Sequence, residues 1–201
     1  MGIHYSVTNT HWNYFLALEK DFELISRYVE FSERNNSTFS IELARLIMTS
    51  AQEVDVIMKK LCNLVSPNSP ANNIGNYKTI IIDRIPEFRE EEVKIPRFGM
   101  SSIPWLNWIE NSDPPLWWTA NNKIKHQRTD HFEKANLKNA FNSIGGLLVT
   151  TLYYYKKKYE QETGSETDWR EITSSLIPRT SLIQLKDEYY HNPGDWSEVN
   201  W

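Results

Sequence analysis

The sequence predicts an all-α, antiparallel helical bundle with a short irregular or β-containing insertion near residues 90–113. Two observations predict this fold class. Apolar residues recur every three or four positions over long stretches on both sides of the insertion, which is the period of an amphipathic helix. Four prolines and one glycine lie between residues 90 and 115, where this period is lost.

The composition restricts the class of protein. Of the 201 residues, 40% are hydrophobic and 13% are aromatic, which is enough for one folded domain and is not typical of a disordered chain. The 22 Lys and Arg residues against 26 Asp and Glu give a net charge of −4. This charge excludes a protein that coats nucleic acid through bulk charge, but it leaves room for a local basic patch.

The sequence also indicates a cellular location. It contains no run of 18 apolar residues, and its first residues lack the basic and apolar regions of a signal peptide. The single cysteine, Cys62, has no partner for an intramolecular disulfide, as is usual in a reducing compartment. We therefore expect a cytoplasmic protein with no membrane-spanning segment.

Two long helices are predicted in the first third of the chain. The first extends over about residues 11–35, and the second ends near Val65, ahead of Pro67 and Pro70. The start of the second helix could be capped by Asn36, Ser37 or Thr38. Because the connection is short, the two helices are expected to fold back on each other as an antiparallel hairpin.

Asp55 interrupts the apolar stripe of the second helix. The other members of the stripe are apolar or small: Ile41, Ala44, Met48, Ala51, Met58, Cys62 and Val65. Two interpretations are open. Lys59, four residues further on, could pair with the carboxylate. Alternatively, Asp55 points into a polar pocket that faces another helix.

A shorter third helix is predicted over residues 72–88, although Thr79–Ile82 could instead form a buried strand. The insertion follows. Its tryptophans need a buried environment, so it is expected to be structured, with extended pieces at Val93–Arg97 and Ile103–Trp108.

Asp113 is predicted to cap a helix over residues 114–128, and the last long helix is predicted over residues 137–161 with a cap near residues 135–136. Gly145 and Gly146 lie inside that last helix, where glycine is unfavourable, and close approach of another helix would explain them. Residues 1–162 are thus interpreted as the bundle. Residues 163–201 are interpreted as a tail that packs on it through Leu176, Ile177, Leu182, Ile183 and Leu185.

The most promising functional cluster is centred on His126. The helical spacing places Asn122 beside His126 and Asn121 beside Lys125, with Lys123 and Arg128 nearby. Such a set could hold a phosphate, with His126 as general acid or base and the cations stabilising developing charge. The alternative is an ordinary histidine on a solvated basic helix.

Other functional motifs are missing from the sequence. It has no phosphate-binding glycine loop, no zinc-protease motif and no esterase motif, and no metal cluster is visible, so we expect no cofactor and no metal. The segment Tyr153–Tyr159 combines aromatic and basic side chains as a single-strand binding surface does. The competing interpretation is a helix end with Tyr155 and Tyr159 directed inward.

Residues 12–160 resemble the HEPN superfamily of small bacterial all-α domains. The resemblance rests on a long helical hairpin, a Trp-rich loop, and the segment Trp117-Trp118…Asn122-x-x-Lys125-His126-x-Arg128 ahead of a final long helix. Active members are metal-independent ribonucleases whose motif is an Arg followed, after four to six residues, by a His, and they usually form dimers. In this sequence His126 matches the His of the family motif, and Asn122 matches the polar position that follows the Arg. Asn121, Ala120 or Thr119 occupies the place of the Arg.

The resemblance implies an RNA-directed protein, and one interpretation is a metal-independent endoribonuclease of the toxin or defence type. In that interpretation His126 is the acid or base and Asn122 orients it. Phosphate is bound by Lys125, Arg128, Asn121 and Lys123, and Asp55 and Lys59 support the site. The alternative is a non-catalytic HEPN-like module that binds a nucleotide, an RNA or an antitoxin-like protein partner. A homodimer is expected in either case.

Overall fold

The structure is a computed structural model that describes residues 8–110 and 113–190, and the predicted all-α class is confirmed in them. The described residues form eight α-helices and one two-stranded hairpin. In chain order they are α1 (Thr10–Ile25), α2 (Ile41–Val65), α3 (Ile74–Arg84), β1 (Val93–Ile95), β2 (Met100–Ser102), α4 (Asn107–Glu110), α5 (Leu116–His126), α6 (Arg128–His131), α7 (Leu137–Thr163) and α8 (Trp169–Ser175).

α1 and α2 form the predicted antiparallel hairpin. Asp21, late in α1, pairs with Arg45, early in α2, whereas His11, early in α1, contacts Glu53 in the middle of α2 and Lys60 near its end. However, α1 ends at Ile25 and not near residue 35. The Ser26 hydroxyl donates a hydrogen bond to the Glu23 carbonyl at 2.7 Å, and such a bond competes with continuation of the helix.

The connection between α1 and α2 then buries an aromatic side chain. Phe31 is 1% exposed, and its ring lies 4.6 Å from that of Phe22. A continuous helix to residue 35 would not return the chain to this position. Ser40 caps α2 by accepting a hydrogen bond from the Leu43 amide, so the cap is not at Asn36, Ser37 or Thr38 as predicted.

α2 and α7 form the centre of the molecule and run in the same direction. Their first residues are tied together, because the Ser40 amide donates to the Ala135 carbonyl and the Leu137 amide donates to the Thr38 carbonyl. About ten residues further along α2, the hydroxyls of Ser50 and Ser143 are hydrogen-bonded to each other in the core.

The central position of α2 explains an error in the predicted stripe. Helices α1, α3, α5 and α7 all contact α2, so its buried face is wider than a single stripe and includes Leu46, Ile47 and Ile57. Ile41, at the start of the predicted stripe, is 73% exposed.

The third helix is confirmed as α3, and the alternative strand at Thr79–Ile82 is wrong. The insertion contains the β1–β2 hairpin, with Val93 opposite Ser102 and Ile95 opposite Met100. The extended piece predicted at Ile103–Trp108 is wrong, because the chain turns there and enters α4.

α5 begins at Leu116 and ends at His126, so it is shorter than the predicted helix over residues 114–128. Pro115 and not Asp113 occupies its N-cap position, with no side-chain cap. The turn at Gln127 separates α5 from the short α6. The last helix is confirmed as α7, and the Asn136 side chain caps it by accepting from the Asn139 amide at 3.0 Å.

The absence of a side chain at Gly145 and at Gly146 allows a different part of the chain to approach α7 at each position. A Cβ atom on Gly146 would lie 2.9 Å from a ring carbon of Trp117 in α5, which confirms the predicted close approach of a helix. A Cβ atom on Gly145 would lie 2.7 Å from a methyl group of Val93, so this glycine faces the hairpin and not a helix.

Two buried carboxylates attach the C-terminal segment to the helices. Glu19 of α1 is 2% exposed and accepts hydrogen bonds from backbone amides of the segment and from the Thr180 hydroxyl. Those amides belong to Ser181, Leu182 and Ile183. Glu91 accepts a hydrogen bond from the Tyr153 hydroxyl of α7 at 2.7 Å and another from the Tyr189 hydroxyl at 2.6 Å. Burial and Glu91 together raise the pKa of both tyrosines well above the ordinary value, so both remain donors.

The apolar residues predicted to pack this segment on the helices are buried in four cases of five. Leu176, Leu182, Ile183 and Leu185 are buried, whereas Ile177 is 76% exposed. None of the helices in the described ranges is both long and apolar enough to cross a membrane.

We predict that Gly146→Ala destabilises the protein by about 1–3 kcal/mol, although alanine favours a helix by about 1 kcal/mol over glycine. The reason is that the Trp117 ring is buried and its Nε1 donates to the Pro104 carbonyl at 2.8 Å, so it cannot move away. Urea unfolding measures the change.

The matched control combines Gly146→Ala with Trp117→Leu, which removes the ring atoms that the new methyl group would meet. The double variant should lose less stability than the sum of the two single variants. A Gly146→Ala protein more stable than the wild type would contradict the close approach.

Candidate functional site

A groove between α2 and α5 is lined by four of the eight site residues that the sequence singled out. Its volume is about 420 Å³. Its lining residues are Met48, Ala51, Gln52 and Asp55 from α2 and Trp118, Asn121, Asn122 and Lys125 from α5. We call it the α2–α5 groove.

The two walls of the α2–α5 groove are built in the same way. Each helix contributes four side chains at positions i, i+3, i+4 and i+7, which share one helical face. The opposite face of α5 carries Trp117, Ala120 and Ile124, which are buried in the core. Burial of that face directs Trp118 and Lys125 toward the groove.

Asp55 fits both predicted interpretations. Its carboxylate forms the predicted ion pair with Lys59, and it also lines the groove that faces α5. In addition, the Tyr77 hydroxyl of α3 donates to Asp55 Oδ1 at 2.7 Å, a contact that the sequence did not suggest. Burial, and then the bond to Asp55, raise the pKa of Tyr77 well above its ordinary value, so the phenol stays a donor.

His126 does not line the α2–α5 groove. Its side chain is exposed at the C-terminal end of α5, one turn beyond Asn122, and it has no hydrogen bond to the described residues. The structure therefore brings Asn121, Asn122, Lys125 and Asp55 together and places His126 at the margin.

The remaining predicted residues lie around the same end of the groove or outside it. A terminal nitrogen of Arg128 lies 3.8 Å from the Met48 sulfur, which brings the guanidinium to the α2 wall. Lys59 reaches the groove through its ion pair with Asp55. Lys123 does not line the groove.

The α5 side of the groove is locally basic. Residues 116–129 contain three Lys or Arg residues and neither Asp nor Glu, in contrast to the net charge of −4 for the whole chain. The facing carboxylate, Asp55, is already compensated by Lys59 and Tyr77. An anion approaching Lys125 therefore meets little uncompensated negative charge on the α2 wall.

The uncharged groups of the groove can form hydrogen bonds and stack. Gln52, Asn121 and Asn122 provide three amides, and Asn121 Nδ2 donates to Asn122 Oδ1 at 3.4 Å. Trp118 is half-buried, with its ring 5.7 Å from that of Trp117. An indole beside amides and a cation can bind a planar polar ring that carries a negative group.

Sequence reasoning missed Trp118, Gln52 and Met48 as site residues. Trp118 could have been found, because it lies four positions before Asn122 and so shares its face. Gln52 and Met48 could not, since nothing in the sequence states that α2 and α5 are neighbours.

A titratable cluster outside the α2–α5 groove involves His11 of α1. His11 Nδ1 shares a hydrogen bond of 2.5 Å with Glu53 Oε1, and Lys60 Nζ donates to His11 Nε2 at 3.0 Å. Both ring nitrogens are therefore occupied by the protein itself. His4 and His191 lie outside the described residues.

The Tyr153–Tyr159 segment is not organised as a binding surface. Tyr153 is buried, and Lys156 and Lys157 both pair with Glu160. Tyr159, predicted to point inward, is 43% exposed. Among the residues that the structure describes, no group of three or more His, Cys, Asp or Glu side chains is placed to hold a metal ion.

Comparison with known proteins gives no identification: the chain matches no protein-family model, no curated protein and no solved structure. The geometry of the α2–α5 groove is therefore the basis for a functional assignment.

We predict that Asp55→Ala destabilises the protein by about 1–3 kcal/mol, because the Tyr77 hydroxyl loses its acceptor inside the protein. Asp55→Asn, which retains an acceptor oxygen, should cost less. Urea unfolding of both variants provides the measurement.

Lys59→Ala is the control, since it breaks only the half-exposed ion pair and should change stability by less than about 0.5 kcal/mol. If Asp55→Ala also stays within about 0.5 kcal/mol of the wild type, the bond to Tyr77 contributes nothing to stability.

Proposed function

We propose that the protein binds single-stranded RNA in the α2–α5 groove. The observation that supports this most is the presence of Trp118, Lys125 and amide side chains in one groove of about 420 Å³. Single-strand binding sites combine an aromatic platform for a base with cations for the backbone.

The aromatic component is Trp118. Its ring is half-buried and lies in the groove, so one base can stack on it without a rearrangement of the core. Asn121, Asn122 and Gln52 are then within the same groove for hydrogen bonds to the edge of that base.

The phosphate-binding component is Lys125 together with Arg128. Lys125 lines the groove, and Arg128 lies beyond it against Met48, so the two cations mark a path toward the C-terminal end of α5. Exposed His126 and half-buried Lys123 extend the basic surface at that end.

We also propose that the chain is related to the HEPN superfamily. It is supported by the all-α fold, by the position of the Asn122…His126 segment at the end of a helix, and by the long α7 that follows. A homodimer belongs to the same interpretation. Phe39 and Ile41 support it, because they are 50% and 73% exposed at the start of α2. We further propose that the protein acts in the cytoplasm.

We predict that Trp118→Ala weakens binding of a fluorescein-labelled, 12-nucleotide unstructured RNA by about tenfold, since loss of one stacked base costs about 1–3 kcal/mol. Trp118→Phe should restore part of the affinity. Lys125→Ala should reduce the slope of log affinity against log salt by about 0.7, as expected for one lost phosphate contact. Fluorescence anisotropy over a salt series measures both.

Lys20→Ala is the matched control, because Lys20 is an exposed lysine of α1 outside the groove. It should leave the affinity and the salt slope unchanged. If the wild type does not bind the RNA, or if Lys20→Ala and Lys125→Ala behave alike, the assignment of the groove is wrong.

A second candidate function is metal-independent RNA cleavage. One observation favours it: His126 is exposed, has no hydrogen-bond partner among the described residues, and lies one helical turn from Asn122. In this mechanism an RNA 2′-hydroxyl attacks the adjacent phosphorus, and the bond from phosphorus to the 5′-oxygen of the next nucleotide breaks. His126 accepts the 2′-hydroxyl proton, water protonates the leaving 5′-oxygen, and Lys125 or Arg128 stabilises the charge on the phosphate. The product would carry a 2′,3′-cyclic phosphate.

We predict for this candidate that end-labelled structured or unstructured RNA is cleaved in EDTA by the wild type and not by His126→Ala. The products are examined for 2′,3′-cyclic phosphate ends. His131→Ala, purified in parallel, controls for a contaminating nuclease and should cleave as the wild type does. If the protein binds RNA but does not cleave it, the proposed binding function stands and the proposed catalytic function is wrong.

A further inference from the structure

A second groove follows the free edge of the β1–β2 hairpin. Its volume is about 310 Å³. All three β2 residues line it: Met100, Ser101 and Ser102. Because consecutive strand residues point to opposite faces of a sheet, a groove that touches all three runs along the edge of the strand.

The backbone of Ser101 points toward this groove. Lys94 lies opposite Ser101 in the hairpin, and the Lys94 amide and carbonyl both pair with Gln184, at 2.7 and 2.9 Å. Lys94 therefore directs its backbone groups away from β2, which makes Lys94 and Ser101 a non-hydrogen-bonded pair. In such a pair the amide and carbonyl of Ser101 also point outward, away from β1.

The protein already adds an extended segment to the other edge of this hairpin. Gln184 forms both backbone hydrogen bonds with Lys94 in an antiparallel bridge. In the described residues the corresponding groups of Ser101 have no such partner. One edge is thus covered by the chain itself, and the other presents a donor and an acceptor.

The opposite wall of the groove supplies a further acceptor. Asn36 lines the groove, and its Oδ1 is buried and has no hydrogen-bond partner in the described part of the chain. Asn139 and Asn142 lie on the same side, from the start of α7. Backbone amides of an incoming peptide are suitable donors for such an oxygen.

The lining indicates what kind of peptide fits. Glu33 and Lys138 are the charged residues among those lining the groove, and their charges cancel. Leu106 and Leu116, also in the lining, are 38% and 62% exposed. An uncharged segment with an apolar side chain would complement these surfaces.

We propose that this groove binds an extended, uncharged peptide segment of a partner protein by strand addition to β2. The Ser101 amide and carbonyl pair with one residue of the peptide, and an apolar side chain of the peptide covers Leu106 and Leu116. The groove lies between β2 and α7, so the free strand edge faces a helix, and a single extended strand fits there better than the hairpin of a second folded copy. This site is separate from the α2–α5 groove.

The test is selection of peptides from a displayed library of random heptapeptides on the full-length protein, followed by affinity measurement with synthetic peptides. The informative variant is Ser101→Pro, which removes only the outward amide and leaves the β1–β2 hydrogen bonds intact. Ser101→Ala is its matched control, since it removes the hydroxyl and keeps the amide.

We expect selected peptides to be uncharged and rich in β-forming residues. They should bind wild type and Ser101→Ala equally, and bind Ser101→Pro about tenfold more weakly, as expected for one lost hydrogen bond. If Ser101→Pro does not fold, N-methylation of each peptide residue in turn provides the same test on the wild type, and methylation of the residue that pairs with Ser101 should weaken binding by about tenfold.

Three results would overturn the proposal. One is that no peptide is enriched over a blank surface. Another is that peptides bind wild type and Ser101→Pro equally and tolerate N-methylation at every position. The third is that the wild type self-associates in sedimentation experiments and Ser101→Pro does not, which would make a second copy the occupant of the edge.

Discussion

The contact between Trp117 and Gly146 fixes the position of α5, and the candidate site depends on it. Because Gly146 has no side chain, the Trp117 ring lies directly against the α7 backbone, while its Nε1 donates to the Pro104 carbonyl at 2.8 Å. One side chain thus ties together α5, α7 and the insertion. With Trp117 anchored in the core, the other face of α5 presents Trp118 and Lys125 to α2.

Helix α2 contributes both to the core and to the candidate site. Most of its circumference packs against α1, α3 and α7, but the face that carries Met48, Gln52 and Asp55 remains open toward α5. The Asp55 carboxylate on this face accepts a hydrogen bond from Tyr77 of α3 and pairs with Lys59. It therefore connects α2 to α3 as well as lining the groove. The basic character of the site therefore comes from α5.

The sequence predicted what depends on local spacing. The bounds of α7, the ion pair of Asp55 with Lys59 and the shared face of Asn121 and Lys125 follow from helical periodicity. It did not predict that α1 ends at Ile25, because the chain beyond this point is placed by burial of Phe31 against Phe22 and against Phe98, which is far away in the sequence. Nor could it predict that His126 lies outside the groove, since this depends on the rotation of α5 about its axis, which the Trp117 contact sets.

The central claim is that RNA occupies the α2–α5 groove, and photocrosslinking tests it most directly. A single-stranded RNA that contains 4-thiouridine is irradiated with the wild-type protein, and the crosslinked residues are identified by mass spectrometry. The account predicts crosslinks to α5 between Trp118 and Lys125 and to the facing residues of α2. Crosslinks confined to other surfaces, such as the β2 edge or the end of α7, would contradict it.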